Sequence, residues 1–210
     1  MFQSKTEFMT DNTAIYQTFK HSLEAYAPIS ETTWQALMSI TREKRLQKQQ
    51  VLYKAGDVPV FFAWVFRGLI RGYVCDDKGN EYNKKFFDEG KFPGAMSALL
   101  TNTPSKLGFD ALEETILLEI DFRAFRQLLL KYEDLKLFQI YYLEKNWLLD
   151  KDEREIALVQ HDAAARYQRF LSEFPNLVER LPQYHIASHL GITPTQLSRI
   201  RKKSSFHQPM

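Results

Sequence analysis

The stretch Gln183-Tyr-His-Ile-Ala-Ser-His-Leu-Gly-Ile-Thr-Pro-Thr-Gln-Leu-Ser-Arg-Ile-Arg-Lys202 combines residue types that can recognise a polyanion with a spacing that can present them. Two crossed helices of this size need inward apolar contacts, a small residue at the crossing and a turn residue that tolerates a left-handed backbone. Ile186 and Leu190 supply the first, Ala187 the second and Gly191 the third, while Ile192, Leu197 and Ile200 complete the core. Thr193 is the expected N-cap of the second helix, with Pro194 at its first position and Gln196 placed to bond back. Since Leu197 and Ile200 point inward, Thr193, Thr195, Gln196, Ser198, Arg199, Lys202 and Lys203 are left outside. These side chains can read base edges in a major groove: Arg bidentate to guanine, Gln to adenine, Ser or Thr to several edges. No Asp or Glu occurs from Leu181 to Met210, so phosphates can approach this cationic segment unopposed. A helical hairpin with a merely solvated polar face explains neither the matched small and apolar positions nor the missing acids.

Other chemistries find less support. The chain has no G-x-S-x-G, no phosphate loop and no H-E-x-x-H, and its single cysteine, Cys75, has no obvious His partner in sequence. No catalytic residue is therefore assigned, and the protein is expected not to be an enzyme. One cysteine cannot form an internal disulfide or hold a zinc or iron–sulfur centre alone. No His lies between His21 and His161, which leaves the intervening segment only Cys75 and carboxylates for a haem or metal; no metal site and no cofactor are identified. His185 and His189 have the four-residue spacing of a helical metal pair, but solvent exposure, and a phosphate contact for one of them, is the expected role.

The elements that must position the cationic helix can be traced upstream. The 210 residues, 44% apolar and 26% charged, suffice for a core, and the longest apolar run, Val60 to Phe66, is too short for a membrane span. The first residues carry no signal-peptide pattern, so a cytoplasmic protein is expected. Of the 28 Lys and Arg, four lie in the carboxyl-terminal thirty residues, leaving a body of about neutral charge and a cationic tail, which is either solvated or held for a polyanionic partner. Ala14, Ile15, Phe19, Leu23 and Tyr26 predict a first helix, and Ser30 caps a second over Glu31 to Ile40. From about Lys44 to Ile120, strand-like runs separated by turn residues predict an antiparallel β unit: Gln50–Tyr53, Phe61–Phe66, Leu69–Cys75, Glu81–Phe87, Gly108–Leu112 and Glu114–Ile120. Beyond it, Leu135, Phe138, Tyr142, Lys145, Leu149, Asp152, Ile156 and Val159 recur at steps of three and four over roughly 37 Å of helix. Leu135, Phe138, Tyr142, Leu149 and Ile156 are the expected dimer interface; the alternative is a helix packed only on its own β unit. Ala163 to Phe174 reads as one more amphipathic helix, closed by Pro175.

This assembly resembles the cyclic-AMP receptor protein/Fnr family of bacterial transcription regulators, and the resemblance covers nearly the whole chain. Leu52-Tyr53-Lys54-Ala55-Gly56-Asp57 is similar to that family's entry into its β-roll, and Phe66-Arg67-Gly68-Leu69-Ile70-Arg71-Gly72 to the hairpin that follows. Phe92-Pro93-Gly94-Ala95-Met96-Ser97 occupies the place of its phosphate-binding cassette. The resemblance implies an α+β fold with three parts: residues 1–130 an antiparallel β-roll (double-stranded β-helix) effector domain with flanking helices, 131–160 a long dimerisation helix, and 161–210 a helix-turn-helix DNA-binding domain. It implies a homodimer on a near-palindromic duplex, with RNA polymerase and a small-molecule effector as further partners, and no membrane.

In family members that bind cyclic AMP, a Glu after the cassette Gly holds the ribose and a nearby Arg the phosphate. The matching positions here are Ala95 and Ser105, and Lys106 replaces the Arg only if the register shifts by one. Losing such a buried partner costs about 3–5 kcal/mol, which argues against cyclic AMP as the physiological ligand. The expected effector pocket comprises Gly94, Ala95, Met96, Ser97, Ser105 and Lys106. The aromatic residues Phe61, Phe62, Trp64, Phe66, Tyr73, Phe86, Phe87 and Phe92 either line it for an apolar effector or are simply core. A rival reading from another class is a sensory or scaffolding protein that uses its helix-turn-helix for protein interaction.

Overall fold

The computed structural model describes residues 3–149 and 162–205. Helix α1 (Gln3–Glu24) buries Ile15, Phe19 and Leu23, and α2 (Glu31–Met38) starts where the Ser30 hydroxyl accepts from the Thr33 amide. Seven antiparallel strands follow: β1 (Thr41–Leu46), β2 (Val51–Tyr53), β3 (Phe61–Arg67), β4 (Ile70–Cys75), β5 (Glu81–Phe87), β6 (Gly108–Ala111) and β7 (Thr115–Asp121). They form two sheets, ordered β1-β7-β3 and β2-β6-β4-β5, with the short helix α3 (Met96–Thr101) between β5 and β6.

The expected strands match six of these within one or two residues; β1 lies upstream of them. Its sequence, Thr-Arg-Glu-Lys-Arg-Leu, lacks apolar alternation, and it is held by pairing with β7 and by Arg42 Nε and Lys44 Nζ, which reach the buried Glu119 carboxylate at 2.6 and 2.7 Å. Strands β3 and β7 are buried on both faces, which explains their near-continuous apolar sequences. Ala63, Val65 and Leu117 face the interior of the roll with Phe87 and Phe109; Phe62, Trp64, Ile116 and Leu118 face α1 and the helices that follow β7.

Those helices are α4 (Phe122–Lys131), capped by the Asp121 carboxylate, and α5 (Glu133–Leu143), separated from α4 by the extended residue Tyr132. Asp134 fixes the start of α5: its carboxylate accepts from the Ser30 amide at 2.8 Å and from the Thr33 hydroxyl at 2.7 Å. A π-helical turn, Glu144–Leu148, continues α5. The chain then forms α6 (Ala163–Glu173), α7 (Leu177–Arg180), α8 (Gln183–Leu190) and α9 (Pro194–Ser205). No helix among the described residues is long and apolar enough to cross a membrane.

The helix seam differs from the one expected. Leu135 and Phe138 are buried in the protomer's own core with Phe19, Phe62 and Leu118, and Tyr142 packs on the same cluster. Lys145 lies over the Tyr26 ring at 5.5 Å. Within α5 and its π turn the apolar face left open is Leu137, Ile140, Tyr141 and Leu148 instead; Leu149 is exposed, whereas Asp152, Ile156 and Val159 lie outside the described residues. Both faces of α5 are apolar, so a three-and-four repeat can be drawn along either, and the face nearer β3 and β7 is taken by the roll. Truncating Leu135 or Phe138 to Ala is therefore expected to cost about 3 kcal/mol of protomer stability in urea unfolding, independent of protein concentration. A loss that grows on dilution would return these residues to a subunit interface.

Candidate nucleic-acid interface and β-roll cavity

Helices α8 and α9 cross as the sequence requires. Ile186, Ala187 and Leu197 are fully buried, Leu190 nearly so, and Gly191 turns the chain at φ +67°. The start of α9 is a reciprocal cap: the Gln196 amide donates to Thr193 Oγ1 at 3.2 Å, and the Thr193 amide donates to Gln196 Oε1 at 2.8 Å. Thr193, Thr195, Gln196, Arg199, Lys202 and Lys203 are exposed, and Ser198 is half-buried. The cap thus uses the oxygen of Gln196 and leaves its amide nitrogen outward.

The far side of this unit does not face solvent. Leu69 and Phe86, both from the β-roll, complete its core with Phe170, Phe174, Leu177, Leu181 and Ile186. Helix α8 runs along the open edge of β5, where an unpaired strand would otherwise expose its backbone. The Asn83 amide donates to Ser188 Oγ at 3.0 Å, and Ser188 Oγ donates to the Glu81 carbonyl at 3.2 Å. The buried Asn83 side chain donates to His185 Nδ1 and to the His185 carbonyl, both at 3.0 Å, while its oxygen accepts from Arg71. Arg71 in turn grips Asp110 through two nitrogens at 2.7 and 2.8 Å. A second tie joins Arg180 of α7 to Glu89, Glu113 and the Gly68 carbonyl.

Contrary to the expectation of solvent exposure, His185 is buried and His189 half-buried. His185 is buried against Asn83, and His189 packs among the rings of Phe86, Phe170 and Phe174 with Nδ1 3.3 Å from the Asn83 carbonyl. A hairpin helix alone has one buried face; α8, packed on strand β5 as well, has two.

The expected effector residues converge. Gly94, Ala95, Met96, Ser97, Ser105 and Lys106 all line one cavity of about 570 Å³, together with Lys84, Lys85, Phe87, Phe92, Phe109, Tyr142, Asn146 and Trp147. Ala95 is buried, and its amide donates to the buried Tyr53 hydroxyl at 2.5 Å. Burial pushes the Tyr53 phenol well above its ordinary range, so it stays a neutral acceptor and donor. The Ser105 hydroxyl donates to the Leu107 carbonyl and accepts from the Leu107 amide. Ser105 and Lys106 lie in the turn before β6 and not on a strand, so the alternation rule does not separate them, and both reach the cavity wall.

Of the aromatic residues named from the sequence, Phe87 and Phe92 line the cavity; Phe61, Phe62, Trp64, Phe66 and Phe86 pack in or against the hydrophobic cores, and Tyr73 lies under the Arg71 guanidinium. Two contributors had no clear sequence signal. A register shift in the β4–β5 ladder makes Lys84 an extra residue, a bulge that lets it line the wall beside Lys85. The wide π turn brings Trp147 round to the face that carries Tyr142 and Asn146.

Comparison with known proteins agrees with this architecture. Residues 43–132, which hold most of the roll, match the cyclic nucleotide-binding domain family. The chain is 28% identical over 175 residues to an anaerobic regulatory protein of Aggregatibacter actinomycetemcomitans, covering 77% of this chain and 66% of the relative. The counterpart from Pasteurella multocida (strain Pm70) is 29% identical over 176 residues, covering 77% and 62%. The chain thus spans somewhat under two thirds of the length of these curated relatives. In fold it is similar to the c-di-GMP responsive global regulator CLP of Xanthomonas campestris, with a TM-score of 0.65 at 17% identity over 86% of this chain and 96% of that one. In its β-roll the chain is thus similar to cyclic nucleotide-binding domains, and over 77% of its length to anaerobic regulatory proteins.

The Asn83 contact has a pH signature. A side-chain amide nitrogen only donates, so His185 Nδ1 must be unprotonated to accept from it. Burial first, then the Arg71 guanidinium and, least, Lys48 push His185 down to about 4 against the opposing pull of Asp110 and Glu81. The folded value lies below the ordinary 6.5, so this contribution is complete above pH 6.5 and is lost as pH falls toward 4. Between pH 7 and 5, where carboxylates barely titrate, the helical unit is expected to lose roughly 1–2 kcal/mol in urea unfolding followed by near-ultraviolet dichroism. His185→Gln should flatten that dependence.

Proposed function

We propose that the protein is a homodimeric DNA-binding transcription regulator that reads duplex DNA through α9. The observation that carries this is the exposed, firmly capped helix α9, whose outward residues Thr195, Gln196, Arg199, Lys202 and Lys203 are polar or cationic in a carboxyl-terminal segment without a carboxylate. Arg199 and the Gln196 amide nitrogen read base edges, Thr193, Thr195 and Ser198 support them, and Lys202 and Lys203 bind phosphates. The three-part division proposed for such a regulator is residues 1–130 for the β-roll, 131–160 for the connecting helix and 161–210 for the reading head. The open apolar face of Leu137, Ile140, Tyr141 and Leu148, with Leu149 after it, pairs with a second copy. The dimer sets two reading helices roughly 34 Å apart on successive major grooves, so its operator is a near-palindrome. Where it activates, RNA polymerase is the further partner.

The roll serves as the sensory part, controlled by something other than cyclic AMP. Ala95 and Ser105 stand where the ribose and phosphate of that nucleotide would need a carboxylate and a guanidinium, and both are engaged in protein hydrogen bonds. Titration calorimetry with cyclic AMP is expected to give no binding in the micromolar range; micromolar binding overturns this part of the proposal.

Selection of bound sequences from a random DNA pool tests the whole reading. A two-fold-related site is expected, with affinity that falls steeply as salt rises. Arg199→Ala should cost about 1–3 kcal/mol and relax preference at one position per half-site, whereas Lys202→Ala should weaken all sequences alike and lower the salt slope by about one. If Arg199→Ala leaves affinity and preference unchanged, the helix-turn-helix serves protein interaction instead.

A further inference from the structure

We infer that the β-roll cavity binds a small organic acid: an apolar or aromatic body that carries one anionic group at the lysine-lined wall. This rests on the reading of the roll as the sensory end of a regulator. The cavity's volume, about 570 Å³, falls among small-molecule sites and well above what an inorganic ion needs. Its surface is mostly Phe87, Phe92, Met96, Phe109, Trp147 and other carbon-rich side chains.

The polar groups in the wall are largely engaged by the protein. Thr101 Oγ1 donates to the Ser97 carbonyl and meets Thr103 Oγ1 at 2.7 Å. Asn146 donates to Tyr26 Oη and to the Tyr142 carbonyl, the Ala95 amide to Tyr53, and the Ser105 hydroxyl closes its own turn. A ligand rich in hydroxyls or amides would leave its groups unmatched here, and each unmatched group costs free energy on burial. A sugar or nucleoside body is therefore disfavoured, and a hydrocarbon or aromatic one is not.

Charge sets the other half of the specificity. Among the described residues Lys84, Lys85 and Lys106 line the cavity, and no Asp or Glu does. Cations from two separate segments, the β5 bulge and the turn before β6, border the same space. An anionic group placed there meets the positive charge of Lys84 and Lys106, and a neutral analogue forgoes that attraction. Lys85 also lies 5.9 Å from the Phe87 ring, so its stem joins the apolar surface to the charged end.

The test uses the full chain and two fluorescent probes of nearly the same body, 1-anilinonaphthalene-8-sulfonate and its uncharged parent N-phenyl-1-naphthylamine. The sulfonate should bind at least about tenfold more tightly and receive energy from the protein's tryptophans, a transfer that Trp147→Phe should reduce by removing the donor that lines the cavity. Both lysines are exposed, so the double variant Lys84→Gln, Lys106→Gln should fold; it should weaken the sulfonate by about tenfold and leave the parent unchanged. Equal binding of the two probes, no binding of either, an unaffected double variant, or displacement by micromolar cyclic AMP overturns the proposal. DNA binding of the same samples is followed separately. Failed probe binding with salt-dependent DNA binding intact removes only the ligand class, and the converse removes only the regulator reading.

Discussion

Strand β5 has to serve two cores at once, and most of the molecule's organisation follows from that constraint. Successive side chains on a strand point to opposite faces. Phe86 therefore enters the core of the carboxyl-terminal helices while Phe87, its neighbour, enters the roll. The same strand lies at the edge of its sheet, so its backbone polar groups need partners from elsewhere. Helix α8 supplies them through Ser188 and His189, while His185 holds the side chain of the buried Asn83, the hub at which backbone, helix and the Arg71–Asp110 pair meet. A fully satisfied polar cluster of this kind fixes one docking geometry, because sliding α8 by one residue would leave several buried groups unpaired at once.

The features legible in the sequence are those fixed by local chemistry. The Thr193–Gln196 cap, the Gly191 turn and the Ala187 crossing depend on residues within ten positions of one another, and each appears where its spacing put it. The apolar strands were legible for the same reason. Strand β1 was not, since a run of five polar residues becomes a strand only when β7 offers a ladder and Glu119 a counter-charge. Nor could periodicity say which apolar face of α5 the roll would claim, because both faces carry the repeat and only the position of β3 and β7 decides.

The two histidines mark the limit of that approach more sharply. Read alone, α8 has one buried face, and His185 and His189 fall on the other. Their burial is imposed by β5, about a hundred residues earlier, and nothing near either histidine announces it. The cavity lysines are similar: Lys84 lines the wall because the ladder slips by one residue opposite Gly72 and Tyr73, a property of two strands together. By contrast the cassette residues Gly94 to Ser97 fell in place, since their short segment forms the wall by itself.

One strand therefore carries Lys84, Lys85 and Phe87 on the cavity wall and Asn83 and Phe86 in the contact with α8. Close-packed interiors transmit displacement because they have little free space to absorb it. An occupant that presses on Phe87 or draws the bulged lysines inward moves the backbone to which Asn83 is attached. Asn83 cannot shift without stretching its bonds to His185 and Ser188, and α8 carries α9 with it through the Ile186, Ala187 and Leu197 core. In the proposed regulator the route from the cavity to α9 would run through a single strand and one buried amide. Its energetic reach is bounded by the difference in the occupant's affinity between the docked and undocked arrangements, since a ligand that binds both equally shifts neither.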